Sequence, residues 1–196
     1  MIKEKYDKRK KLCLVVTESK DYYSENKDNV FLKKKIFDSL CPFNIDSEYR
    51  IIDNSISDSY IKKNILFVRK KLENYKKDLT KTLNLYHKIE NNELYWGIIL
   101  DSWLVHAISV IKIKADELSL LNKKNIYIYE STNTFTFNNS ENFLIETAVN
   151  DDFNQFVYSR IAKNLGIETK KKKSHIIKKI KNLKILVYLI ISQNFF

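Results

Sequence analysis

The stretch Leu12-Cys13-Leu14-Val15-Val16-Thr17 decides the fold, because it is a short unbroken apolar run followed at once by polar residues. Such a run predicts a strand buried on both faces, as the strands of parallel sheets are. Further strands are predicted at 29–32, 49–53, 126–129 and 184–191, where apolar and β-branched residues again cluster.

Two long helices are predicted between the third and fourth strands. Residues 58–89 contain no Gly or Pro, and 93–118 is apolar on nearly all sides, which predicts a helix in the centre of a domain. The short polar turn Asn91-Asn92 between the two helices predicts an antiparallel helical hairpin over 58–118. The first helix carries one apolar stripe in steps of three and four, formed by Ile61, Ile65, Val68, Leu72, Tyr75, Leu79, Leu83 and Tyr86.

A last helix is predicted from 151 to 165, after an Asn/Ser/Thr-rich loop. Asn150 or Asp151 caps its start, and Gly166 suits a left-handed residue at its end. Strands that alternate with helices give an α/β domain with a Rossmann-like sheet. We therefore expect this domain over 12–167, between a basic tail at 1–11 and a basic segment with one more strand at 168–196, where the chain looks truncated.

The net charge of +11 is unevenly distributed. The excess of basic side chains falls in residues 1–12 and 168–184, whereas 13–167 carries 21 basic and 21 acidic side chains. A nucleic-acid-binding protein usually has its basic surface on the folded face, so nucleic-acid binding is disfavoured. No signal peptide and no run of about 18–20 apolar residues is present, and a cytoplasmic protein is expected, with peripheral contact at the inner face of the membrane as an alternative.

Several catalytic motifs are absent. The only glycines are Gly97 and Gly166, so the chain has neither a G-x-G-x-x-G loop nor a P-loop, and it shows no HExxH or GxSxG pattern. Cys13 and Cys41 do not make a metal-ligand cluster, and Cys13 is predicted to be a small, buried hydrophobic residue. No metal and no cofactor held by this chain are predicted.

One polar stripe interrupts the apolar helix over 93–118. It is formed by Tyr95, Ser102, His106 and Ser109, at spacings of seven, four and three. Two interpretations of this stripe are open. It could line a cleft, with His106 as a general base, or its side chains could form hydrogen bonds to a neighbouring element. The second interpretation is favoured. Trp96 and Trp103 either stack on sugar rings or belong to the core, and their helical spacing favours the core.

Three stretches, in this order, resemble a family of bacterial transferases encoded with surface-polysaccharide genes. Leu14-Val15-Val16-Thr17-Glu18 is similar to the opening strand of the family. The second stretch, similar to the Tyr-Trp and Pro-Trp-Leu segment of the family, is Asn92-Glu93-Leu94-Tyr95-Trp96-Gly97-Ile98-Ile99-Leu100-Asp101-Ser102-Trp103-Leu104. The third, similar to its Asp-Trp-Asn followed by an aromatic residue, is Asp151-Asp152-Phe153-Asn154-Gln155-Phe156-Val157-Tyr158. The chain departs at Ser102, Phe153 and Gly97, where the family has Pro, Trp and commonly a basic residue, and it has Lys33-Lys34-Lys35 where a Gly-Glu-Trp-Cys-like stretch is usual.

The resemblance implies the N-terminal half of a GT-B-like, two-domain glycosyltransferase, inactive alone and lacking its C-terminal domain. A nucleotide-activated donor and a glycan or lipid-linked acceptor are then expected for the full-length relative. No residue is assigned a catalytic role. The residues implied near the inter-domain cleft, as binding residues, are Thr17, Glu18, Tyr95, Trp96, Trp103, His106, Asp152 and Asn154.

The residues alone are also compatible with a different class of function. In this alternative, the chain is a complete binding or scaffolding module that docks at a membrane surface through its basic tails. Liposome binding that weakens with salt would distinguish this module from the transferase fragment.

Overall fold

A computed structural model describes residues 11–24, 29–33, 36, 50–51, 58–121, 123–131, 133, 135 and 140–171. The predicted strand over 184–191, most of the basic segment before it, the tail up to residue 10 and Cys41-Pro42 lie outside the described residues.

Five strands form one sheet in which every neighbouring pair is parallel. They are β1 (Leu12–Val15), β2 (Asn29–Phe31), β3 (Arg50–Ile51), β4 (Ile126–Glu130) and β5 (Glu168–Lys171). Their order is β3-β2-β1-β4-β5, with Cys13 in register with Asn29 on one side and Tyr127 on the other. The α/β prediction is confirmed.

The central position of β1 follows from its sequence. Cys13, Leu14 and Val15 are fully buried, which only a strand covered on both faces allows. From β1 the chain proceeds to β2 and β3 on one side, and from β4 to β5 on the other. The strand order therefore reverses between β1 and β4, and α/β proteins bind ligands beyond the carboxyl ends of the strands at such a point.

Two elements were not predicted from the sequence. Helix α3 (Ser140–Val149) lies where a loop was expected, and β5 lies in the basic segment. β5 reads Glu-Thr-Lys-Lys and is a polar edge strand, so the search for apolar runs could not detect it. Its side chains are held by β4: the Thr169 hydroxyl donates to Glu130 at 2.7 Å, and Lys170 Nζ lies 3.6 Å from the centre of the Tyr127 ring.

Helix α4 (Asp151–Asn164) begins and ends as its sequence predicts. The Asn150 side chain accepts a hydrogen bond of 2.9 Å from the Phe153 backbone N–H. Gly166 has φ of 76°, a left-handed conformation that costs a glycine little, and the Ile167 N–H donates back to the Ala162 carbonyl. This helix follows α3 directly and packs against β4 and β5.

The chain divides into two compact units. The sheet unit comprises Met1–Asn54, Lys114–Thr136 and Val149–Phe196, and the helical unit comprises Ser55–Ile113 and Phe137–Ala148. The helical unit contains α1 (Asp58–His87) and most of α2 (Glu93–Ser119). Contacts pair Phe67 with Lys112, Lys76 with Asp101 and Asn84 with Trp96, so the residue number falls along α2 as it rises along α1.

Burial within the helical unit is less complete than predicted. In the stripe of α1, Val68, Tyr75 and Leu79 are buried, but Ile61, Ile65 and Tyr86 are exposed. In α2, Leu104, Ala107 and Ile108 are buried, whereas Leu94 and Ile98 are 72% and 80% exposed, together with Ile99. The prediction that α2 is buried all round is therefore wrong for one face, because the described residues cover only the other.

The length and composition of α2 also meet the requirements for crossing a bilayer, although core helices of soluble proteins meet them too. No uninterrupted apolar run marks α2 in the sequence, because Asp101 and His106 interrupt it.

Candidate functional site

Polar side chains converge in the sheet unit where the strand order reverses. Thr17 and Glu18 follow β1, Ser131 and Asn133 follow β4, and Asp152 lies in the first turn of α4. All come from segments beyond the carboxyl ends of the two central strands. We call this group, with Tyr22, Asp151 and Gln155, the switch-point cluster.

Asp152 is the centre of the cluster. The Tyr22 hydroxyl donates to Asp152 Oδ1 at 2.8 Å, and the Asn133 side-chain amide donates to Oδ2 at 2.9 Å. Burial, and then the neighbouring Asp152, raise the pKa of Tyr22 to about 12. The phenol therefore stays protonated and keeps donating near neutral pH, which fixes the direction of the carboxylate.

Gln155 joins the loop after β1 to the end of β4. Its side-chain amide donates to the Tyr129 carbonyl at 2.6 Å, and its Oε1 lies 3.4 Å from the Thr17 hydroxyl. Gln155 is fully buried, so both hydrogen bonds replace water that the amide has lost. The Glu18 backbone N–H adds a 3.3 Å hydrogen bond to Asp151 Oδ1. The loop after β1 is thus attached to the start of α4 at two points.

The charge of the cluster limits what could bind there. Asp151 and Asp152 already place two carboxylates at the positive end of the α4 dipole, where a phosphate would otherwise bind. A second anion there would be repelled, whereas hydroxyl groups find carboxylate and amide oxygens that accept hydrogen bonds. In the described part of the chain, no group of three or more His, Cys, Asp or Glu side chains is placed to hold a metal ion.

A second polar group in the sheet unit surrounds Lys114 on α2. Its Nζ donates to Asn154 Oδ1 at 2.8 Å and lies 4.1 Å from the centre of the Tyr158 ring. The Tyr158 hydroxyl donates to Glu117, and Lys33 Nζ lies 2.9 Å from Glu117 Oε1. Burial lowers the pKa of Lys114 to about 8, because Glu117 offsets the desolvation only in part and Lys33 adds repulsion.

Four of the predicted site residues lie on α2 in the helical unit. Trp96 is buried; its indole N–H donates to Asn84 Oδ1 at 2.7 Å, and its ring stacks on His87. Trp103 packs edge-on against Phe143 of α3. Both tryptophans thus contribute to packing. Tyr95 is exposed, and His106 is partly exposed.

The polar stripe lies on the uncovered face of α2. At about 100° per residue, Tyr95, Ser102 and His106 fall between the exposed Leu94 and Ile98 on one side and Ile99 on the other. The Ser109 hydroxyl donates to the Val105 carbonyl of its own helix at 2.7 Å. The hydrogen bond of Ser109 therefore does not reach a neighbouring element.

The eight predicted site residues thus fall into three places. Thr17, Glu18 and Asp152 lie together in the switch-point cluster, and Asn154, two residues further along α4, accepts a hydrogen bond from Lys114. The remaining four residues, those on α2, belong to the other unit.

No sequence pattern indicated Tyr22, Asn133, Gln155 or Lys114. Single polar residues in mixed sequence carry no periodic signal, and only the tertiary fold shows what surrounds them. The one available indication for Gln155 was its place in the predicted helix 151–165, one turn after the cap.

Comparison with known proteins gives one match. A family model described as LIC12162 family transferase matches residues 12–193, which covers most of the chain and both compact units. No curated protein and no solved structure matches the chain.

Proposed function

Because the chain belongs to the LIC12162 family of transferases, we propose that it takes part in transferring an activated sugar to a glycan precursor in surface-polysaccharide biosynthesis. The switch-point cluster is the observation that carries this proposal. The partly exposed Asp152 and Asn133 present a carboxylate and an amide that hydrogen bonds hold in place, and such groups suit the hydroxyl-rich surface of a carbohydrate.

In this proposal Asp152 positions an acceptor hydroxyl. Tyr22 and Asn133 each use one lone pair of the carboxylate, and a carboxylate has about four, so both oxygens keep the capacity to accept another hydrogen bond. Thr17 and Glu18 lie on the loop that Gln155 and Asp151 hold in place. We assign no catalytic residue, since the donor that sets the reacting atoms is not identified.

The donor is proposed to be nucleotide-activated and to bind outside this cluster. Two aspartates at the start of α4 disfavour a diphosphate there, and the only two glycines, Gly97 and Gly166, do not form a phosphate-cradling loop. A GT-B-like arrangement, in which a second domain holds the nucleotide, accommodates this division by analogy of fold. The exposed Tyr95 and the partly exposed His106 of the helical unit stay candidates for glycan contact, in a cytoplasmic enzyme.

The experiment compares Asp152→Asn with the wild type and with Glu141→Gln, an exposed acidic residue of α3, as the matched control. Purified chains are incubated with a panel of nucleotide-activated sugars and with glycan or lipid-linked glycan acceptors, and labelled sugar in the product is measured. Hydrogen bonds to charged groups contribute about 1.5–3 kcal/mol, so Asp152→Asn is expected to lower kcat/KM by about 10- to 100-fold.

Glu141→Gln is expected to keep the wild-type rate, and thermal melting monitors folding of both variants. The proposal fails if folded Asp152→Asn transfers sugar as fast as the wild type. It also fails if no glycan acceptor changes the amide NMR signals of Tyr22, Asn133 and Asp152 and no sugar is transferred.

A further inference from the structure

The first half of α1 is strongly basic. Residues 59–72, called here the basic half of α1, contain five Lys or Arg side chains and no Asp or Glu. The rest of the helix mixes both signs, since Glu73 and Asp78 lie among its lysines. The balanced charge of the whole body therefore conceals a local concentration of positive charge on one helix.

Large apolar side chains are exposed among these cations. Ile61, Ile65 and Leu66 are 47%, 48% and 66% exposed. At about 100° per residue, Ile65 and Leu66 fall on either side of Lys62 and Arg69, within an arc of about 100° on the helix surface. An arc in which exposed aliphatic side chains flank two cations thus faces away from the described core.

Four of the cations in the basic half of α1 are not used for internal ion pairing. Among the described residues, Lys62, Lys63, Arg69 and Lys70 form no ion pair, whereas Lys76 further along the helix bonds Asp101 at 2.6 Å. The charge of these four side chains is available to an external partner.

We propose that the basic half of α1 docks on an anionic lipid bilayer. Lysine and arginine side chains extend their ammonium and guanidinium groups to the phosphates of the headgroups, while Ile61, Ile65 and Leu66 enter the boundary with the acyl chains. Each basic residue near an anionic surface contributes a factor of about five in affinity, and the effect falls off within a Debye length.

The aliphatic residues distinguish a bilayer from a nucleic acid. Binding to a phosphate polymer needs cations and gains from stacking aromatic rings, but exposed Ile and Leu side chains contribute nothing to it. A bilayer uses both kinds of residue. The inference does not depend on the proposed sugar transfer, because it concerns the helical unit and is measured by binding alone.

The test is cosedimentation of the full chain with vesicles of phosphatidylcholine with or without phosphatidylglycerol. Binding is expected only to the anionic vesicles and to weaken as salt rises from about 0.1 M to 1 M. Lys62→Gln/Arg69→Gln/Lys70→Gln should lower the affinity by about 100-fold, since three cations are lost. Leu66→Gln, which keeps every charge, should lower it by about tenfold.

The matched control is Lys77→Gln/Lys81→Gln, which removes exposed lysines from the other half of the same helix and should change binding less than threefold. Circular dichroism confirms that each variant is folded. The proposal is overturned if the triple variant binds anionic vesicles like the wild type. Loss of binding only when Lys172, Lys173, Lys178 and Lys179 are changed to Gln would assign the membrane contact to the basic segment instead. Equal binding of single-stranded DNA by wild type and Leu66→Gln, without vesicle binding, would favour a nucleic acid.

Discussion

The sheet unit and the helical unit differ in whether their buried polar groups have hydrogen-bond partners. In the sheet unit, the buried Gln155 and Thr17 and the clustered Asp152 take part in hydrogen bonds that connect β1, β4 and α4. In the helical unit, three buried side-chain oxygens of the described residues have no hydrogen-bond partner: Asn64 Oδ1, Thr80 Oγ1 and Asp101 Oδ1. A polar atom left in this state costs about 1–3 kcal/mol.

The exposed apolar side chains are also unevenly distributed between the two units. Of the fifteen large hydrophobic side chains that are exposed among the described residues, thirteen belong to the helical unit. A monomeric soluble domain rarely leaves so much apolar surface uncovered without using it for binding. The comparison teaches that the sheet unit satisfies its polar groups internally, whereas the helical unit leaves apolar side chains exposed and three buried oxygens without a hydrogen-bond partner among the described residues.

The largest effect that would sharpen this comparison is the loss of a core aromatic in the sheet unit. Phe153 is 1% exposed and packs against the Phe135 ring at 5.2 Å, so Phe153→Ala is expected to lower the free energy of unfolding by about 3–5 kcal/mol. Leu94→Ala, on the uncovered face of α2, should change it by less than about 0.5 kcal/mol. Urea unfolding measures both, and equal losses would contradict the distinction between the units.

An intermediate effect is expected at the ion pair of the helical unit. Lys76→Met leaves Asp101 without its partner and with one buried oxygen unpaired, and should cost about 1–3 kcal/mol. Adding Asp101→Leu should recover most of this loss, because both charges are then removed. Lys77→Met, at the exposed neighbouring position, is the control. Additive losses in the double variant would show that the pair does not couple the two helices.

The smallest effect is a pH dependence in the sheet unit. Lys114 has a pKa of about 8 in the folded protein, below the ordinary value of 10.5, so above pH 8 the unfolded chain binds a proton that the folded chain does not. Stability should therefore rise by about 1–2 kcal/mol between pH 8 and 10, with the full penalty present below pH 8.

Lys114→Met should flatten this rise, and Lys123→Met, an exchange of another lysine, should not. Glu117, Lys33 and Tyr158 face Lys114, and Tyr158 opposes the rise above pH 10, because its pKa is raised well above 10 by burial and Glu117. Unfolding by urea at a series of pH values measures the slope. An unchanged slope in Lys114→Met would show that the lysine does not titrate in this range.

Local patterns were sufficient for the main elements. Continuous apolar runs located β1, β2 and β4, the absence of Gly and Pro located α1, and Asn150 and Gly166 marked the ends of α4. These features depend on neighbours within a few residues, which the sequence displays directly. The predictions failed for β5 and α3, because a polar edge strand is stabilised by its partner strand and not by its own composition.

The family resemblance, and not a local pattern, named Thr17 and Asp152 as candidate site residues. The position of Thr17 after the predicted strand agrees with that prediction, whereas Asp152 lies beside a predicted helix cap and has an equally good structural role there. Tyr22, Asn133 and Gln155 join them through hydrogen bonds between residues 19 to 138 positions apart. No local pattern encodes such distances.

By itself, the sequence determined the α/β class, the central apolar strand, the two long helices and the neutral body between basic ends, since periodicity, composition and caps act over a few residues. Only the tertiary structure decided which residues meet Asp152, why Lys114 loses its proton readily, and which faces of α1 and α2 stay uncovered. Those outcomes depend on burial and on contacts between distant segments, and a linear pattern does not contain either.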